Sequence, residues 1–148
     1  TGWYTLSLHD ALPILARVVY SRPQKNGRKV FGELVDYGSV WRMGANEATE
    51  LELFRDAKIG NTRVKKGRYT LFAIPTTTKW TIILNKDTDT WGAFRYDSKK
   101  DVTRVDVPVL ASKEEIEALS IYFEKFNTTV NLIIGWDDEM VRLPISFF

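Results

Sequence analysis

The densest collection of chemistry-bearing side chains in this 148-residue chain lies in one block, Leu34-Val35-Asp36-Tyr37-Gly38-Ser39-Val40-Trp41-Arg42-Met43-Gly44-Ala45-Asn46-Glu47-Ala48-Thr49. Tyr37 and Trp41 bring rings, Arg42 a planar fork of donors, Asn46 an amide and Glu47 a carboxylate, with glycines that permit tight turns. Apolar rings with a few convergent polar groups suit a small-molecule site. Arg42 or Asn46 would donate to a small polar or sugar-like ligand, and Trp41 or Trp91 would offer a stacking face. Tyr96 completes the candidate set. The competing structural reading makes Arg42 and Glu47 a buried ion pair that fixes the loop, because charged residues are rarely buried unpaired. It assigns the aromatics to corner packing.

Other chemistries are excluded by what the chain lacks. There is no cysteine, and the single histidine, His9, lies near the start. Ser-His-Asp and Cys-His machinery and thiolate or imidazole zinc sites therefore find no residues beyond position 9. A carboxylate hydrolase stays open as a rival, with Glu47 working beside Glu33 or Asp36, although a glycosidase needs two acids facing one cleft and the spacing forces no such pair. Lys86-Asp87-Thr88-Asp89-Thr90 spaces acids as calcium loops do but lacks the glycine and distal glutamate of that signature. It reads as a solvated hairpin tip, as does Asp137-Asp138-Glu139. No metal or cofactor is assigned. The 21 basic and 19 acidic residues interleave along the chain, unlike the one-sided basic patch of a nucleic-acid binder. No apolar run approaches the ~20 residues of a membrane helix.

The elements that must position these residues are almost all strands. Residues 16–21, 49–54, 68–75, 79–85, 102–109, 119–124, 130–136 and 141–145 alternate or carry β-branched and aromatic side chains, and turn signals separate them; 57–61 and 62–64 read as short edge pieces. Leu51 and Leu53 point one way, Glu50 and Glu52 the other. The strands at 68–75 and 79–85 are apolar on both faces, so they are expected at the centre of a sheet. Short strand pieces are expected at 29–35. Trp80 and Trp136 are expected in the core. One-turn helices are expected at 97–100 and at 112–117, where Ser112 would cap with Glu115.

Tyr4-Thr5-Leu6-Ser7-Leu8-His9-Asp10-Ala11-Leu12-Pro13-Ile14 resembles the conceptual translation of a common sequencing adapter. Residues 1–14 are accordingly set aside as a non-native leader, leaving residues 15–148 as one β domain.

The block at 34–49 resembles the bacterial domain-of-unknown-function family 2911, whose pattern runs roughly "LV-x-Y-G-x-V-W-R-x-G-A-N-E-x-T". Tyr20-Ser21-Arg22-Pro23, Gly67-Arg68-Tyr69-Thr70-Leu71-Phe72-Ala73-Ile74-Pro75, Trp80-Thr81-Ile82-Ile83-Leu84-Asn85 and Trp91-Gly92-Ala93 extend the likeness, with Lys66 where alanine is usual. The resemblance implies an exported, periplasmic or envelope location and no reaction. Together these readings give an all-β, single-domain sandwich or partly open barrel of mainly antiparallel strands. Its expected role is non-catalytic binding of a small polar or sugar-like ligand, or of a protein partner, at Tyr37, Trp41, Arg42, Asn46, Glu47, Trp91 and Tyr96. A purely structural module is the bland alternative.

Overall fold

Alternation decides the architecture. The computed structural model describes residues 2–7, 14–89, 93, 95–126 and 129–148. Among the described residues ten strands form two sheets in which every named strand pairing is antiparallel. The first sheet contains β1 (Gly2–Ser7), β2 (Ile14–Tyr20), β3 (Glu50–Leu53), β6 (Gly67–Pro75), β7 (Lys79–Asn85) and β8 (Asp101–Pro108), in the order β1-β2-β3-β6-β7-β8. The second runs β5-β4-β10-β9, from β4 (Ala57–Ile59), β5 (Thr62–Val64), β9 (Leu110–Phe126) and β10 (Thr129–Phe147). The sheets face each other as a sandwich that is not closed into a barrel, with Leu51, Leu53, Leu71, Trp80, Leu84, Leu132 and Trp136 among the buried residues between them. No helix among the described residues is long and apolar enough to cross a membrane.

The doubly apolar strands β6 and β7 lie inside the first sheet. Their inner residues, such as Leu71, Ala73, Trp80 and Ile82, join the sandwich core. Their outer residues Phe72 and Ile83 form a second cluster with Ala48, Val40, Ile74, Ala93 and Tyr96. Two connections, one from β2 to β3 and one from β7 to β8, thus cover the outer face at β6 and β7.

Three local expectations fail. Residues 112–117 are not a helix. They extend β9, whose ladder with β10 reaches Ile116 opposite Asp137 and Ala111 opposite Glu139. A 19-residue partner strand overrides the helical leaning of this charged stretch. The segment 29–35 forms turns and an isolated Phe31–Val35 bridge rather than strands. Asp137-Asp138-Glu139 is no hairpin tip: it lies within β10, where the ladder slips between Gly135 and Asp137 and again between Asp137 and Glu139. The turn at 98–100 does appear, as a 3-10 helix capped by Asp97, whose carboxylate accepts the Lys99 N–H at 3.0 Å.

Residues 2–7 of the stretch set aside from the fold pair along β2, from Gly2 opposite Tyr20 to Ser7 opposite Ile14. The open edge of β2 presents unpaired backbone groups to any extended segment, whatever its side chains. Such a pairing therefore needs no matched sequence.

Candidate functional site

The block at 34–49 takes over the sheet edge where β3 stops. Gly38 N–H donates to Pro75 O at 2.9 Å, Trp41 N–H to Ala73 O at 2.7 Å and Leu71 N–H to Thr49 O at 2.8 Å, so the block runs along β6 beyond the end of β3. Side chains directly opposite in an antiparallel pair share a face, and Trp41 is opposite Ala73, an inward residue. That geometry corrects the expectation of a stacking face. Trp41 is only 8% exposed. It stacks on Trp136, with centroids 6.1 Å apart, and meets Trp80 and Phe31 edge-on.

Beyond Trp41 the chain makes a strained corner. Met43 and Asn46 have φ of 59° and 63°, a conformation costing about 1–3 kcal/mol outside glycine. Packing and hydrogen bonds hold it. Met43 is fully buried, Thr49 Oγ1 donates to Met43 O at 2.6 Å, and the Ser21 hydroxyl donates to Ala45 O at 2.7 Å while accepting the Ala45 N–H at 2.8 Å. Gly44 makes this approach possible, since a β-carbon there would lie 2.9 Å from Ser21 Oγ.

The expected Arg42–Glu47 ion pair does not form. Among the described residues neither side chain has a charged partner, and Arg42 Nε is buried without a hydrogen bond. The loop sends the two in different directions. Glu47 and Asn46 are exposed. Glu47 lines an open cleft of about 550 Å3 with Arg17, Val19, Ala48, Glu50, Glu52, Arg68 and Asp89. A smaller hollow of about 160 Å3, bordered by Ser21, Asn46 and Glu47, adjoins it. The outer face of β2, β3 and β6 forms the floor, because Arg17, Glu50, Glu52 and Arg68 alternate with core residues.

The acids of this cleft are mostly engaged. Arg17 bonds Glu52 at 2.5 Å. Arg68 bridges Glu50 at 2.7 Å and Asp89 at 2.8 Å, and Glu50 also accepts the Asp89 N–H at 2.7 Å. The hydrogen bond to Glu50, then that to Asp89, raise the pKa of the Arg68 guanidinium still further above its ordinary value. Glu47 alone of the four carboxylates has no hydrogen-bond or ion-pair partner among the described residues. With four acids and two arginines on the walls, the cleft is acidic.

The remaining expected residues divide. Tyr96 packs edge-on against Phe72, 5.0 Å between centroids, in the cluster that includes Ala48. Its hydroxyl donates to Asp101 at 2.5 Å and accepts from Arg104 at 2.8 Å. Burial, then the Asp101 bond, raises its pKa while Arg104 lowers it. It therefore packs beside the cleft, against the cluster that contains Ala48, and does not line it. Trp91 lies outside the described residues.

Tyr37 sits on the other side of the block, against Glu139. Its hydroxyl is pushed to higher pKa by burial and by the charges of Glu139 and Asp138. Glu139 itself is raised from 4.5 to about 7, first by burial and then by Asp138, while the Trp80 indole N–H and the Tyr37 hydroxyl favour its ionised form. The bulges in β10 turn this carboxyl toward the aromatics. Asp137, with φ of 54°, accepts the Val30 N–H at 3.1 Å and pairs with Lys25 at 3.2 Å; Lys25 also meets Glu115. Lys25 and Asp137 are 7% and 8% exposed, so this is a buried ion pair.

Arg17, Glu50, Glu52, Arg68 and Asp89 were absent from the expected site. The Glu50/Glu52 alternation put both carboxylates on an outer face, but only strand pairing brings them beside Glu47.

The family described as "Protein of unknown function (DUF2911)" matches residues 13–145. The chain belongs to this family. The match covers all cleft residues and every strand but β1, stopping two residues before the end of β10. No curated protein and no solved structure matches the chain.

Proposed function

We propose that this domain of the DUF2911 family is a non-catalytic binding module of the bacterial envelope. Its ligand is a small polar, sugar-like molecule carrying hydroxyl or amine donors, held in the Glu47 cleft. The observation that carries the reading is the Glu47 carboxylate, exposed on a cleft of about 550 Å3 and without a partner among the described residues. Around it, Arg17 and Arg68 hold Glu52, Glu50 and Asp89 in place, which preorganises acceptors for hydroxyl and ammonium groups. Asn46 in the adjoining hollow supplies an amide. The acidic excess favours an amine over a neutral analogue.

The hydrolase reading is less well supported. Glu33 and Asp36 are not among the residues lining either hollow next to Glu47. The acids that do share the cleft are engaged by arginine. Two free carboxylates acting on one bond are therefore not assembled among the described residues. The envelope location rests on the family resemblance and is tested by fractionating cells that express the native gene.

Calorimetric titration with D-glucosamine and D-glucose tests the binding reading. Glucosamine should bind with a Kd in the millimolar range or tighter, about −4 kcal/mol, and more tightly than glucose. Glu47→Gln should weaken it at least about tenfold. Equal affinity in the variant, or no binding of either sugar, would overturn the assignment.

A further inference from the structure

We propose that the seam between the two sheets carries a second ligand site, remote in chemistry from the Glu47 cleft, that takes a small carboxylate with an apolar body. A groove of about 390 Å3 lies there, with residues from β4, β8 and β10 on its walls. That volume falls within the range of small-molecule sites.

One wall is polar. Ser146 is directly opposite Lys58 in the β10–β4 ladder, so the two project from the same face. Arg142 precedes Ser146 by four residues on β10 and lies on that face as well. Neither Lys58 nor Arg142 has an ion-pair or hydrogen-bond partner among the described residues. The acid on the groove, Asp106, is already engaged by Lys79 Nζ at 2.9 Å and by the Thr81 hydroxyl at 2.7 Å. Two uncompensated cations and a hydroxyl thus face one space.

The β8 side is apolar, from Val105 and Pro108, and Pro144 adds an apolar patch between Arg142 and Ser146 on the β10 face. The groove is held open by fixed contacts. Gly60, at the β4–β5 turn, has φ of +62°, and a β-carbon on it would lie 2.8 Å from Val105 Cγ2, so the turn is seated directly on β8. The Thr103 hydroxyl meets that of Thr62 at 2.9 Å and ties β5 to the same strand. A guanidinium offers a carboxylate two parallel donors, and an ammonium adds a point charge. The valine and proline surfaces cover an aliphatic tail. Charge complementarity selects an anion, and the apolar surfaces favour an amphiphilic one over a bare inorganic ion.

The test uses the full chain, followed by amide proton–nitrogen NMR spectra during titration with sodium octanoate and, as the neutral counterpart, 1-octanol. Octanoate should saturably shift amides at 58–60, 105–108 and 142–146, with a Kd in the millimolar range or tighter. Arg142→Gln should weaken it at least about tenfold, and the double change Lys58→Gln with Arg142→Gln should abolish it. Both side chains are exposed, so an otherwise unchanged spectrum reports an intact fold. Octanol should bind at least about tenfold more weakly. The proposal is overturned if octanoate gives no saturable shift in the groove up to about 10 mM. Equal binding of octanol, or wild-type affinity in the double variant, would overturn it too. The probe and residues differ from those of the Glu47 cleft, so each site stands or falls separately.

Discussion

Replacing Glu139 by glutamine should stabilise the domain at neutral and alkaline pH and leave it unchanged in acid. The Glu139 carboxyl is raised from 4.5 to about 7, with burial the largest cause and the Asp138 charge the next. A raised carboxyl reverses the usual sign of acid denaturation. Between about pH 4.5 and 7 the folded chain binds more protons at this site than the unfolded chain does, so stability falls as pH rises through that window. Below 4.5 both states are protonated and the penalty vanishes. The interval corresponds to at most about 3.4 kcal/mol at 1.36 kcal/mol per pH unit. The carboxyl is only partly withdrawn from water, and screening reduces this to about 1–2 kcal/mol. For a domain of this size each kcal/mol moves Tm by about 2–4 °C. The variant should therefore melt about 2–8 °C above wild type at pH 8 and converge with it below pH 4.5. Thermal melts by circular dichroism from pH 4 to 8.5 at constant ionic strength measure the difference. A gap that does not change with pH, or a variant less stable at pH 8, would refute the reasoning.

Three further outcomes test the fold around the site. Lys25→Met leaves Asp137 buried beside a bulge without its cation, so urea denaturation should show a loss of about 3–5 kcal/mol; adding Asp137→Asn should recover part of it. Gly44→Ala presses a methyl onto the Ser21 hydroxyl and should cost about 1–3 kcal/mol in the same assay, because the corner cannot keep both Ser21 bonds. Deleting residues 1–14 removes backbone bonds at an exposed edge and should lower Tm by no more than a few degrees; collapse of the fold would mark Gly2–Ser7 as an integral strand.

The parts of the fold that were legible in the sequence are those where one strand states its own burial. Leu51 and Leu53 against Glu50 and Glu52 gave the inner and outer faces of β3, and the doubly apolar runs of β6 and β7 placed them inside a sheet. Residues 112–117 misled because a short acidic stretch looks helical until a long partner strand is known. Trp41 misled for a related reason: its burial follows from lying opposite Ala73, a pairing invisible in the linear chain. The corner block holds the tight turns its glycines suggest, with Met43 and Asn46 at positive φ, but among the described residues no charge pair forms within it, and its contents scatter to both sides of β6. Asn46 and Glu47 reach the cleft, Tyr37 turns to Glu139, and Arg42 meets no acid among the described residues. The arginines and acids that complete the cleft come from three strands and, for Asp89, from the connection after β7, and no local pattern encodes their adjacency. The Glu139 environment depends on two ladder slips in β10, where the buried alternation changes phase between Trp136 and Val141; in the linear chain that phase change reads equally well as a turn between two strands.

The central claim is that the Glu47 cleft binds a small hydroxyl- or amine-bearing ligand. Amide proton–nitrogen spectra of the full chain during titration with D-glucosamine locate such binding directly. The account expects saturable shifts concentrated at Arg17, Glu47, Ala48, Glu50, Glu52 and Arg68, lost in Glu47→Gln and weakened by added salt as exposed charge interactions are. Absence of saturable shifts at these residues, or an unchanged response in the variant, would contradict it.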